Sequence, residues 1–127
     1  MNQKIILIVE NDLGIRNLLR LILEELGLEK FRGLFANNLE EARARLNREL
    51  KAPDLIFLDP DFNQSESLLF LKELKQENSK FKNIPVTIIS TKESNESKKL
   101  WQENGSNSFI TKPFDVSTIE NLIINNH

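Results

Sequence analysis

Cysteine is absent from the 127 residues, which removes disulfide frameworks, thiol nucleophiles and thiolate metal sites together. The single histidine, His127, is the last residue, so a histidine zinc site or a histidine-based catalytic triad lacks its parts. Glycine is scarce: the segment after the first apolar run, Glu10-Asn11-Asp12-Leu13-Gly14, has one, where the phosphate loops of nucleotide and flavin binders need several. Charge of one sign is missing as well. Lys and Arg number 17 against 19 Asp and Glu, for a formal net charge of -2, with no long block of either sign and hence no nucleic-acid footprint. The apolar run Ile5 to Val9 is broken by Glu10, far short of a leader's apolar region or of a membrane span of roughly 20 residues. These absences predict a cytoplasmic protein without membrane contact.

What is present is a regular alternation. Lys4 to Val9 is a short, continuous apolar run rich in Ile and Val, the pattern of a strand covered on both faces. The period then changes: Ile15, Leu18, Leu19, Ile22 and Leu26 share a helical face, and Gly27 is a plausible stop. The same pair of patterns recurs along the chain. Arg32 to Ala36 reads as a strand, and Asn38 with Glu41 three residues later opens a helix carrying Leu39, Ala42, Leu46 and Leu50. Asp54 to Leu58 is a buried strand after Pro53, and Leu68, Leu71 and Leu74 mark a third helix. Val86 to Ile89 follows Pro85 as a strand; Glu93 to Asn104 is a weakly patterned helix stopped by Gly105. Ser108 to Thr111 is the last strand, broken by Pro113, and Asp115 to Asn125 places Val116, Ile119, Leu122 and Ile123 on a helical face. Five strands alternating with five helices through short connections imply a doubly wound α/β fold, with a parallel sheet and helices on both faces. No repeat, linker or low-complexity stretch interrupts residues 1–127, which predicts one domain and leaves no segment for an output domain.

In open parallel sheets ligands bind beyond the carboxyl ends of the strands. There the chain carries Glu10, Asn11 and Asp12 after the first strand, Asp59, Pro60 and Asp61 after the third, Ser90, Thr91 and Lys92 after the fourth, and Lys112 after the fifth. Taken singly, Asp12 reads as a turn former or helix cap and Lys112 as a surface lysine. Four strand ends bearing complementary groups argue for a shared site. Carboxylates this close repel, and Mg²⁺ relieves that repulsion while leaving positions open for a phosphate oxygen. Asp59 then serves as a carboxylate nucleophile toward phosphorus, Lys112 neutralises phosphate charge, and the Ser90 hydroxyl donates to a phosphoryl oxygen.

From Lys4 to about Leu122 the chain resembles the receiver domains of bacterial response regulators. The resemblance is carried by Lys4-Ile5-Ile6-Leu7-Ile8-Val9-Glu10, Pro53-Asp54-Leu55-Ile56-Phe57-Leu58-Asp59, Ile84-Pro85-Val86 through Ser90, and Phe109-Ile110-Thr111-Lys112-Pro113-Phe114-Asp115. It implies a flavodoxin-like sheet of strand order 2-1-3-4-5, with Asp59 as phosphoacceptor, Glu10 in the acidic metal pair, Lys112 on the phosphate, and Ser90 with Phe109 as the switch pair. It also implies a histidine kinase or histidine phosphotransfer protein upstream. Output goes through the fourth helix, fifth strand and fifth helix to a downstream protein not specified by the sequence, from a monomer or a phosphorylation-dependent homodimer.

Departures from the pattern bear on the metal. Asn11 stands where the second acid of the pair is usual; an amide oxygen brings no charge, so weakened Mg²⁺ affinity is expected. Asp61 is the candidate to restore part of that charge, and Lys92 a candidate to pair with Asp61. Thr91, where a small residue is usual, narrows access to the site. Trp101 is either a contact residue on the fourth helix or simply packs against the sheet. The competing reading is a pseudo-receiver, a binding module that keeps the fold and works without phosphate because Asn11 spoils the acidic pair.

Overall fold

The computed structural model describes residues 2–125, so His127 lies outside the described residues. In chain order the elements are β1 (Lys4–Val9), α1 (Leu13–Leu26), β2 (Phe31–Ala36), α2 (Leu39–Arg48) and β3 (Leu55–Leu58), then α3 (Gln64–Leu74), β4 (Val86–Ser90), α4 (Asn95–Glu103), β5 (Ser108–Thr111) and α5 (Val116–Asn125). The strands form one sheet in the order β2-β1-β3-β4-β5, every neighbouring pair parallel.

The unbroken apolar runs have a direct cause: both faces of the sheet are covered. Ile5, Leu7 and Val9 of β1, Ile56 and Leu58 of β3 and Val86 and Ile88 of β4 enter a core with Leu39, Ala42 and Leu46 of α2, Phe70, Leu71 and Leu74 of α3 and Trp101 of α4. The alternate residues Ile6, Ile8, Leu55, Phe57 and Ile89 enter a second core with Leu19, Ile22 and Leu23 of α1 and Ile119 and Ile123 of α5. Each fully buried side chain of this size stabilises the fold by roughly 1.5–3 kcal/mol.

The helices begin where the sequence supplies an oxygen cap. Asp12, Asn38, Asn63 and Ser94 accept from the backbone N–H groups of Ile15, Glu41, Glu66 and Ser97, each cap worth about 1 kcal/mol. Asn38 belongs to a capping pair, since the Glu41 side chain accepts from the Asn37 amide at 2.7 Å. Gly27, which ends α1, has a φ of 109° that side-chain-bearing residues rarely adopt.

Some details differ from the sequence expectations. Leu50 does not continue the apolar face of α2: Glu49 turns to an extended backbone after Arg48, and Leu50 is fully exposed. In α3 the fully buried residue beside Leu71 and Leu74 is Phe70, with Leu68 only partly buried. Val116 opens α5 on its exposed side. Trp101 is 1% exposed, so this side chain packs under the sheet rather than on the outer surface of α4.

Candidate functional site

Glu10 directly follows β1 and Asp59 directly follows β3, two adjacent strands in parallel register, so their carboxyl groups meet at one end of the sheet. Both are as buried as the core: Glu10 is 2% exposed and Asp59 4%. Lys112, one residue past β5, reaches across β4 to both of them. Its Nζ donates to Asp59 Oδ2 at 2.8 Å and lies 3.1 Å from Glu10 Oε1. The backbone arrives with the side chain, because the Lys112 amide bonds the Ser90 carbonyl at 2.9 Å and the Lys112–Pro113 peptide is cis.

Two carboxyl groups and one ammonium leave an excess of negative charge in a site shielded from water. Burial pushes Glu10 up to about 7, helped by its hydrogen bond with Asp59 and by the charge of that neighbour. Burial works against the Lys112 ammonium too. The hydrogen bond to Asp59 and the charges of both acids outweigh it and hold the lysine above its ordinary value.

The remaining oxygens are mostly engaged. Asp59 Oδ1 accepts from the Asp61 amide at 2.8 Å, and Glu10 Oε2 accepts from the Asp12 amide at 3.1 Å. Oε1 of Glu10 is buried against the Lys112 ammonium. Two buried carboxyl groups this close, sharing one ammonium, suit Mg²⁺, which keeps several of its waters and takes only one or two protein carboxylates. Among the described residues no three His, Cys, Asp or Glu side chains gather into an all-protein cage.

The other expected residues fall around this centre. Asn11 is exposed beside it, and Asp12 is committed to capping α1. Ser90, the last residue of β4, is 1% exposed and points its hydroxyl to Asp61 Oδ1 at 2.5 Å. Asp61 Oδ2 accepts from both the backbone N–H of Thr91 at 2.8 Å and its hydroxyl at 2.9 Å. Burial opposes the Asp61 charge, but these bonds and Lys112 hold its carboxyl below the usual range. Lys92 does not pair with Asp61 as expected; its ammonium turns to Gln64 Oε1 at 3.5 Å. Phe109 lies partly buried on β5 against the α2–α3–α4 core, with the Lys98 ammonium 5.9 Å from its ring centre.

Residues 6–124 match the family model for the response regulator receiver domain. The chain belongs to that family. Among curated relatives, this receiver domain is 34% identical over 109 residues to the phosphate regulon transcriptional regulatory protein PhoB of Escherichia coli K12, a match covering 86% of the chain and 45% of PhoB. It is 29% identical over 117 residues to the transcriptional regulatory protein KdpE of Staphylococcus aureus, covering 92% and 47%. The receiver domain thus spans about half the length of these relatives. Its fold is that of the chemotaxis protein CheY4 of Vibrio cholerae, with a TM-score of 0.84 at 21% identity, covering 99% of this chain and 100% of that one. It is a receiver domain of the kind found in two-component response regulators, whose members interact with histidine kinases and downstream effectors.

Every side chain in the centre is among the sequence candidates, but residue spacing does not show how they pair, neither the Ser90 and Thr91 hydroxyls on Asp61 nor the backbone contacts. The Asp61 amide on Asp59 and the Thr91 amide on Asp61 depend on how the turns after β3 and β4 face each other, for which residue spacing carries no signal.

Proposed function

We propose that this receiver domain takes a phosphoryl group on Asp59 from a phosphohistidine donor, a histidine kinase or a histidine phosphotransfer protein, and signals by contact with another protein. The observation that carries this reading is the buried Lys112 ammonium held between Asp59 and Glu10. An ammonium placed there orients the Asp59 carboxyl group and remains beside it to meet the charge that a phosphoryl group adds. In the reaction an Asp59 carboxylate oxygen bonds to phosphorus as the phosphorus–nitrogen bond breaks, and the electron pair leaves with the donor imidazole. Glu10 and Asp59 would hold Mg²⁺ with the Asn11 amide, and Asp61 would join the set only on leaving the Ser90 and Thr91 donors that engage both its oxygens. The ion would offset the charge of the carboxylates and of the incoming phosphoryl group. With Asn11 in place of a second acid, its affinity is weak.

The phosphoryl group brings close to two negative charges to the ends of β4 and β5. Ser90 turning toward it, with Phe109 repacking, biases the surface made by α4, β5 and α5, where a downstream protein binds the monomer or a second copy pairs with it. Residues 1–127 act as one receiver unit. Among the described residues no helix is long and apolar enough to cross a membrane, in line with work in the cytoplasm.

Intact mass after incubation with acetyl phosphate and Mg²⁺ tests the reading. Wild type is expected to gain one phosphoryl group, dependent on Mg²⁺, and Asp59→Asn none. If wild type gains none and also fails to bind beryllofluoride, the pseudo-receiver takes over, a reading favoured by the exposed, uncharged Asn11.

A further inference from the structure

Three donors at the carboxyl end of β4 converge on one carboxylate. Asp61 accepts from the Ser90 hydroxyl at 2.5 Å, from the Thr91 amide at 2.8 Å and from the Thr91 hydroxyl at 2.9 Å. The Ser90 hydroxyl has a single proton to give, and here it donates that proton in a hydrogen bond to Asp61, while its oxygen accepts from the Lys92 amide at 3.0 Å. Asp61 is itself anchored to the acceptor, its own amide donating to Asp59 Oδ1 at 2.8 Å. A compact anion surrounded by hydroxyl and amide donors beside Lys112 is what a phosphoryl oxygen would look like to this turn.

We infer that Asp61 is a built-in anion plug, an internal stand-in for the phosphoryl group that occupies the Ser90 and Thr91 donors in the resting chain and must be displaced before they can bind a phosphoryl oxygen on Asp59. The inference rests on the proposed phosphoacceptor role of Asp59 and adds to it a positioning residue. The two anions compete for the same protons, so the plug lowers the fraction of phosphorylated chain at a given donor concentration. It also keeps the turn from β4 to α4 ordered when no phosphoryl group is present. Charge-assisted hydrogen bonds are about twice as strong as neutral ones, enough for the plug to shift that fraction by about tenfold.

The test is a double-mutant cycle on the intact chain, read as the ratio of phosphorylated to free protein by intact mass at fixed acetyl phosphate and Mg²⁺. Asp61→Ala is expected to raise the ratio about tenfold when Ser90 is present, Asp61→Asn less, because its one amide oxygen can still accept from Ser90. In the Ser90→Ala background the gain from Asp61→Ala should shrink to less than about threefold, since removing a competitor matters only while the contested donor exists. An equal gain in both backgrounds, no gain, or a fall overturns the plug; a fall points instead to Asp61 helping to hold the cation. If no chain gains a phosphoryl group, the proposed function fails by itself. The plug is then decided by amide hydrogen exchange in the unphosphorylated protein. Exchange at Thr91 and Lys92 about tenfold faster in Asp61→Ala supports it, and unchanged exchange overturns it.

Discussion

Along β1, β3 and β4 the bodies of the strands carry Ile, Leu, Val and Phe sealed between two layers of helices, while at their carboxyl ends Glu10, Asp59 and Ser90 are just as buried but polar. The same backbone ladder supports both. The bodies supply the cohesion that holds the sheet in register, and the ends draw on it, because desolvating two carboxyl groups and an ammonium together costs more than their pairing returns unless the geometry is exact enough. On the proposed function, burial at the ends serves chemistry and burial in the bodies serves stability. Substitutions should therefore have opposite consequences in the two regions.

The largest contrast is expected from Asp59→Asn at an end. Phosphoryl acceptance should vanish in the mass assay while urea unfolding remains cooperative. Leu7→Ala, in the middle of β1 with no exposed surface, should do the reverse, lowering stability by about 2–5 kcal/mol in urea titration and leaving phosphoryl acceptance per folded molecule intact.

Glu10→Gln probes the cost at the ends through pH. The folded pKa is about 7 against an ordinary 4.5, so the folded chain holds this proton more tightly than the unfolded one. That contribution is full below 4.5 and is lost as pH rises through 7. Glutamine carries no such charge, so the variant should gain about 1–3 kcal/mol over wild type above neutrality and little at pH 4, as read from urea midpoints at the two pH values. Phosphoryl acceptance should fall at the same time. The smallest effect concerns an exception inside a strand body, where the buried Thr87 hydroxyl pairs with that of Ser108 at 2.6 Å. Thr87→Val should cost about 1 kcal/mol by urea titration, since it leaves Ser108 without this partner.

The strand bodies were legible in the sequence because covering both faces demands an uninterrupted apolar run, and Ile5 to Val9 or Leu55 to Leu58 admit little else. The strand ends were legible because four of them carry complementary charged and hydroxyl groups at the sheet edge where ligands bind. Helix limits were less so. Leu50 stands four residues beyond Leu46, as a helical face requires, yet the chain leaves the helix at Glu49, whose carboxylate lies 3.6 Å from Arg32 on β2. Trp101 could not be placed because the polar residues around it, Asn95 to Lys99, give α4 no apolar stripe to orient it. The partner of Asp61 was not readable at all, since Ser90 lies 29 residues away and the contact needs two turns to face each other.

Lys112 also bears on how the chain assembles. It joins Asp59 from 53 residues downstream, just past a strand at the edge of the sheet. Without β5 the central strands would hold Glu10 and Asp59 together with no ammonium between them, so the edge strand relieves a repulsion that the middle of the sheet creates. Completion of the sheet and completion of the site are thereby the same event.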